Sequence, residues 1–376
     1  MIIGLNAQEL LKPNPAGPEK YTYHLYNHLA TIDHTNFYTL YFKKKPDKQY
    51  FSTLTQNNSN FRYKVIKSKI SWTQVGLAKE LAKNKVDVYF TPVHTMPIIH
   101  PKKLKIAGMV HGLEYTFSHE YKNVFKKLFI NKPVKYVCIH SDKIITPSKA
   151  VKEDILSKWT KIKPEKIKVV YEGVSKNFGE VSQAQIENIK EKYQINDAPY
   201  LFFISTIQPR KNIPRMVEGF SLALKNKLID PGTKLIIAGK KGWDYEESLR
   251  SFRKYNVQHN TIYAGRIPDE DVAPLMKGAS AFISVSLEEG FGLPVAEALS
   301  CGTPLILSDI PAFREVGGDI PYFADPNNVE DISQKIQKVI NNPPETRKIN
   351  ERSKLFTWEN TAQQTLDTFK NLVKNI

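Results

Sequence analysis

The sequence predicts an α/β protein of two domains, each built on a parallel sheet covered by helices. Three observations predict it. Short apolar, β-rich runs alternate with helical stretches from end to end, the pattern of strand–helix–strand units. The pattern stops at a polar stretch near the middle and then restarts. At 376 residues the chain also exceeds the size at which one hydrophobic core usually stops growing.

In the first half the strand candidates are 2–5, 38–42, 63–66, 86–90, 105–110, 143–146 and 168–170, each a short run rich in Ile, Val, Tyr and Phe. The opening run, Ile2-Ile3-Gly4-Leu5, has no basic lead and is too short for a signal peptide, so it reads as a first buried strand. Helices fit at 19–30 and at 149–157, the second introduced by Pro147-Ser148 as a cap signal. Residues 177–198 are polar and hold a helical piece, 185–193, that ends on Asn196-Asp197-Ala198-Pro199. The boundary is placed there, giving domains 1–180 and 181–356. Strands then resume at 200–205, 234–238, 261–264, 281–284 and 304–307, with helices at 213–225, 269–277 and 294–299. The tail 357–376 reads as an amphipathic helix with Trp358, Ala362, Leu366, Phe369 and Leu372 on one side.

Composition is that of an ordinary globular chain, 41% hydrophobic and 24% charged, which excludes a disordered or fibrous class. No run reaches the roughly 18 apolar residues of a membrane span. Cys138 and Cys301 have no CxxC or Cys/His neighbourhood and read as free thiols of a cytoplasmic protein. The net charge of +16 is uneven: residues 1–185 carry 30 Lys and Arg against 14 Asp and Glu, while the remainder balance at 24 of each. Generic solvated lysine explains part of this; the functional alternative is an anionic partner such as a membrane surface or a lipid diphosphate. Nucleic acid is not expected, because the excess is Lys rather than Arg and no nucleic-acid motif is present. The segment 120–140 interleaves Tyr121, Phe125 and Phe129 with Lys122, Lys126 and Lys127. It fits either core packing or a resting place on an anionic bilayer.

The richest stretch for chemistry runs from Ser286 to Ala298. A strand enters a loop containing Gly290, Phe291 and Gly292, and Leu293-Pro294 opens a helix. Glycines permit close approach of the backbone to a ligand, and a helix N-terminus offers N–H groups to an anion. Glu289 and Glu297 bracket this cradle. A diphosphate flanked by hydroxyl-rich groups suits it; a plain strand-to-helix turn with a dipole-stabilised Glu297 or a dinucleotide site are the other readings of the spacing.

Glu289-Gly290-Phe291-Gly292-Leu293-Pro294, followed after two intervening residues by Glu297-Ala298, resembles the E-x7-E signature of retaining glycosyltransferases of family GT4, the glycogen-synthase-like group. Other segments are similar to that family in order: the strand at 200 leading into Pro209-Arg210-Lys211-Asn212, the Gly265-Arg266-Ile267-Pro268 loop, Pro311 to Asp319, and Thr357-Trp358-Glu359. Ala16-Gly17-Pro18-Glu19, His111-Gly112-Leu113-Glu114 and Glu172-Gly173-Val174 resemble its first-half motifs. Two departures stand out: Ser205-Thr206 replaces a common Gly-Arg, leaving Arg210 as the candidate substitute, and Gly112 replaces the acid that often follows the histidine.

The resemblance implies the GT-B fold, two Rossmann-like domains with parallel sheets facing a central cleft, and a C-terminal helix, 357–376, crossing back to the first domain. It implies transfer of a hexose from a nucleotide sugar, GDP-mannose or another such donor, to a glycan or lipid-linked acceptor. The transfer would retain configuration at the anomeric carbon, with no metal and no cofactor beyond the co-substrate. Lys211 and Arg210 would neutralise the leaving diphosphate, Glu289 would hold sugar hydroxyls and Glu297 the ribose. His111 would lie near the transferred sugar. Gly17, Ile267 and the amides around Gly290, Phe291, Gly292 and Leu293 would complete the donor site. A nucleotide-sugar epimerase and a non-catalytic nucleotide-sugar binder are the competing functions.

Overall fold

The computed structural model describes residues 1–13, 17–113 and 124–374. The chain forms two compact units, Met1–Gly173 with Thr357–Ile376, and Val174–Phe356.

The first unit carries β1 (Ile2–Asn6), β2 (Phe37–Phe42), β3 (Phe61–Val65), β4 (Val88–Thr91), β5 (Lys105–Met109), β6 (Lys143–Thr146) and β7 (Ile167–Val169). All pairs are parallel, in the order β3-β2-β1-β4-β5-β6-β7. The central strands are buried on both faces, as a helix-covered parallel sheet requires, which is why they read as continuous apolar runs. On one face the helices Gly17–Ile32 and Trp358–Lys374 share a core in which Leu25, Leu29, Leu366 and Phe369 meet Leu5 and Phe90. On the other, Leu77, Leu81 and Val137 pack over Tyr89 and Ile106. A π-helical turn, Trp72–Leu77, capped by the Ser71 hydroxyl accepting from Gln74 N, leads into the helix Ala78–Lys83.

The second unit carries β8 (Tyr200–Ile204), β9 (Lys234–Ala238), β10 (Thr261–Gly265), β11 (Ala281–Ser284), β12 (Leu305–Ser308) and β13 (Tyr322–Ala324) in the order β10-β9-β8-β11-β12-β13, again all parallel. The sequence pattern misses β13: three residues at a sheet edge carry too little periodicity to register. Of the segment 120–140, the helix Val124–His140 is present. Its Val134, Val137 and Cys138 point into the core and Lys132 and Lys135 outward. Residues 120–123, like Glu114 and residues 14–16, lie outside the described residues, as do the side chains of 124–131. Cys138 and Cys301 are both free and buried. Among the described residues no helix is long and apolar enough to cross a membrane.

In each unit the strand order reverses once, between β1 and β4 and between β8 and β11. In open parallel sheets such a reversal leaves a crevice at the carboxyl ends of the two diverging strands, where ligands bind.

Candidate functional site

The second unit's reversal point brings together the loop after β8 and the loop after β11. The first of these turns through a 3-10 segment, Pro209–Lys211, into the helix Ile213–Lys225. Asn212 joins them in the left-handed conformation, φ 56°, which Asn tolerates better than most residues. Its amide Nδ2 donates to the carbonyls of Val285 (3.0 Å) and Pro326 (2.7 Å), and Leu287 N donates to Arg210 O at 2.8 Å. The Val285 and Leu287 bonds clamp the two loops to each other, and the Pro326 bond ties in the turn after β13. Asn212 is a residue for which sequence reasoning found no role; its side chain is 4% exposed, and the signal was its place at the end of the Pro-Arg-Lys-Asn run.

Within this clamp Lys211 Nζ donates to Glu289 Oε1 at 2.5 Å, and Arg210 Nη1 donates to Glu289 Oε2 at 2.8 Å and to Glu288 O at 2.9 Å. Glu289 and Lys211 are each 9% exposed at the side chain, and Arg210 is 20% exposed. Burial by itself would push the Glu289 carboxyl up, but Lys211 and then Arg210 outweigh it and hold it at about 2. Two cations face one carboxylate, so the triad keeps one positive charge.

Beside it the helix Leu293–Cys301 begins. Gly292 is its N-cap at φ 91°, and among the described residues no side chain caps it. A Cβ on Gly292 would lie 2.6 Å from the Phe313 ring, so both the backbone and the space demand glycine. Phe291 is buried, 4% exposed, and rests edge-on against Phe356. Gly290 is buried, and Leu293 and Glu297 are half-buried, Glu297 in the second turn of the helix. Ile267 follows β10, and at 6% exposure its side chain faces the interior.

The first unit holds the other two candidate residues, Gly17 and His111. Gly17 opens the helix Gly17–Ile32, and among the described residues none comes within 4 Å of where its Cβ would project. His111 follows β5 and sits between two acceptors, with Nδ1 at 3.1 Å from Glu172 Oε1 and Nε2 at 3.2 Å from Pro92 O. The acid beside this histidine is therefore Glu172, 61 residues downstream, a pairing that spacing could not reveal. Tyr21 meets the His111 ring edge-on at 4.9 Å. His94, which follows β4, lies 6.3 Å from His111 ring to ring. Burial, and then His111, push His94 down to about 3. Trp358 packs on Tyr21 and stacks on His24.

Comparisons with known proteins agree with the architecture. The family described as "Glycosyltransferase Family 4" matches residues 15–178, and that described as "Glycosyl transferases group 1" matches 185–356. The O-antigen chain mannosyltransferase B of Escherichia coli is 33% identical over 196 residues, 51% of this chain and 51% of that protein. The serotype-specific mannosyltransferase WbdA of Escherichia coli is 26% identical over 67% of this chain and 31% of its own. The chain thus matches about half and about a third of the length of these two relatives. Among solved structures, Anabaena HepE in complex with UDP and glucose superposes with a TM-score of 0.75 at 16% identity, covering 99% of this chain and all of that one. The shared fold is GT-B.

Proposed function

The chain belongs to the family 4 glycosyltransferases, and from that premise we propose that it is a retaining hexosyltransferase acting from a nucleotide sugar, with GDP-mannose the first donor to test. The acceptor in this reading is a glycan or lipid-linked glycan of cell-surface polysaccharide or glycolipid synthesis, met on the cytoplasmic side of a membrane. The mannosyltransferase names of the two relatives favour the donor.

The observation that carries the reading is the Arg210–Lys211–Glu289 triad at the carboxyl ends of β8 and β11, next to the helix N-terminus that Gly292 opens. When a diphosphate leaves an anomeric carbon, negative charge grows on the bridging phosphate oxygen, and preorganised cations and amides there lower the barrier. Lys211, Arg210 and the amides of Gly292 and Leu293 take that role. Glu289, already ionised, accepts from hydroxyls of the donor sugar, and Glu297 from the ribose. The acceptor oxygen bonds to the anomeric carbon on the face that the diphosphate leaves, and its proton passes to the departing phosphate oxygen. No metal is needed in this scheme, because side-chain cations do the neutralising. Gly17 admits the donor or acceptor closely, and His111, held by Glu172, addresses the transferred sugar.

A thermal-shift panel of GDP- and UDP-hexoses, followed by nucleotide release with and without acceptor glycan in EDTA, tests this. The expected result is stabilisation by one donor and release that rises with acceptor. Binding without turnover would mark a non-catalytic binder, and no binding at all would overturn the reading.

A further inference from the structure

Neighbouring strands of the first unit, β2 and β3, and β4 beyond β1, end on loops of unusual composition. Lys43-Lys44-Lys45 follows β2, Lys67-Ser68-Lys69-Ile70 comes soon after β3, and Met96-Pro97-Ile98-Ile99 comes after β4. Because the sheet is parallel, all three loops leave from its carboxyl edge, the edge that also carries His94 and His111. Ile70, Ile98 and Ile99 are 88%, 60% and 79% exposed. A single exposed isoleucine is ordinary; three on adjoining loops form a patch that calls for a partner.

These loops are fastened together. Gln74, in the π-helical turn just after Ile70, donates through Nε2 to Met96 O at 3.1 Å and accepts from Ile98 N at 2.9 Å. Ser68 Oγ donates to Ser71 O at 3.1 Å. The isoleucines are therefore presented on a braced platform. Around them Lys44, Lys45, Lys67 and Lys69 are exposed, and residues 61–79 and 88–113 contain no Asp or Glu. Lys43 lies 6.0 Å from the Trp72 ring and 3.8 Å from Glu9.

We infer that this edge docks on an anionic lipid bilayer, with Ile70, Ile98 and Ile99 entering the acyl boundary and the lysines meeting the headgroups. Apolar tips ringed by cations match the two layers that such a surface presents, apolar below and negative above. The docking edge deepens the lipid-linked acceptor reading and rests on it for its purpose. Ile98 is four residues from His94, so the leaflet would lie against the edge that carries the first unit's candidate residues.

The test is flotation of the full chain with phosphatidylcholine vesicles, with and without phosphatidylglycerol, at low and high salt. Wild type should float only with phosphatidylglycerol, and high salt should release it. The Ile70→Ser/Ile98→Ser/Ile99→Ser protein should partition about tenfold less, with donor hydrolysis in solution unchanged. A second variant, Ile99→Cys carrying an environment-sensitive dye, should shift its emission to the blue on the same vesicles; Cys138 and Cys301 are buried and leave the label selective. Failure of wild type to float, undiminished flotation of the triple variant, or a dye unmoved by vesicles would each overturn the docking edge. Flotation as expected from a protein that turns over no donor would instead sink the transferase reading and leave the docking edge standing.

Discussion

At the scale of single residues, the chemistry gathers where charge is buried and paired. Glu289 is ionised at any ordinary pH because two cations outweigh its desolvation. Lys211→Ala and Glu289→Ala should each raise the transfer barrier by about 2–4 kcal/mol, read as a fall in kcat/KM; near-wild-type turnover by either would show its role misassigned. Glu172 and His111 make a second pair; both lie in motifs named from the sequence, but only the histidine was given a site role there. His94 supplies a pH effect. Its native value of about 3 lies below the unfolded value near 6.5, so between those two the unfolded chain holds a proton that the native protein refuses. Stability from this residue is whole above about pH 6.5 and falls as pH drops toward 3, by at most about 1.4 kcal/mol per pH unit. Denaturant melts across that interval should be flatter for His94→Gln than for wild type.

Elements matter here through their ends. β8 and β11 deliver their loops to one place, but Asn212 keeps them there by combining a left-handed backbone with two donated hydrogen bonds. Asn212→Ala loses both bonds and puts Ala in a conformation that costs about 1–2 kcal/mol. A loss of about 2–4 kcal/mol in stability is expected from these terms together, seen in the denaturant midpoint, with a further loss of donor affinity as the triad loosens. The helix Leu293–Cys301 depends in the same way on Gly292, where φ 91° and the nearby Phe313 ring leave no room for a side chain. These ends were partly legible. Pro294 marked the helix start and the glycines marked the turn, whereas the bonds from Asn212 to Val285 and Pro326 join positions 73 and 114 residues away and leave no local trace.

For the molecule as a whole, the last helix decides how the first unit closes its core. Trp358, Ala362, Leu366 and Phe369 are buried with residues of β1, β2 and the helix Gly17–Ile32. Gly173 lets the chain pass, since a Cβ there would fall 2.4 Å from Trp358 N. Phe369→Ala should cost about 3–5 kcal/mol, and limited proteolysis should then cut Met1–Gly173 sooner than Val174–Phe356. Equal protection of both units in that variant would show the helix to be dispensable. The charge asymmetry also belongs to this scale: the excess of +16 sits in residues 1–185, and part of it surrounds the exposed isoleucines.

By itself the sequence determined what is periodic and local: twelve of the thirteen strands among the described residues, the α/β class, the glycine turn before Pro294, and the family motifs at 209–212 and 289–297. Folding alone decided what depends on residues far apart meeting. It set Glu289 against Lys211 and Arg210, chose Glu172 as the partner of His111, and left three isoleucines outside the core. The physical reason is that side-chain pattern records which face of an element is buried, while pairing and exposure depend on which elements the topology makes neighbours.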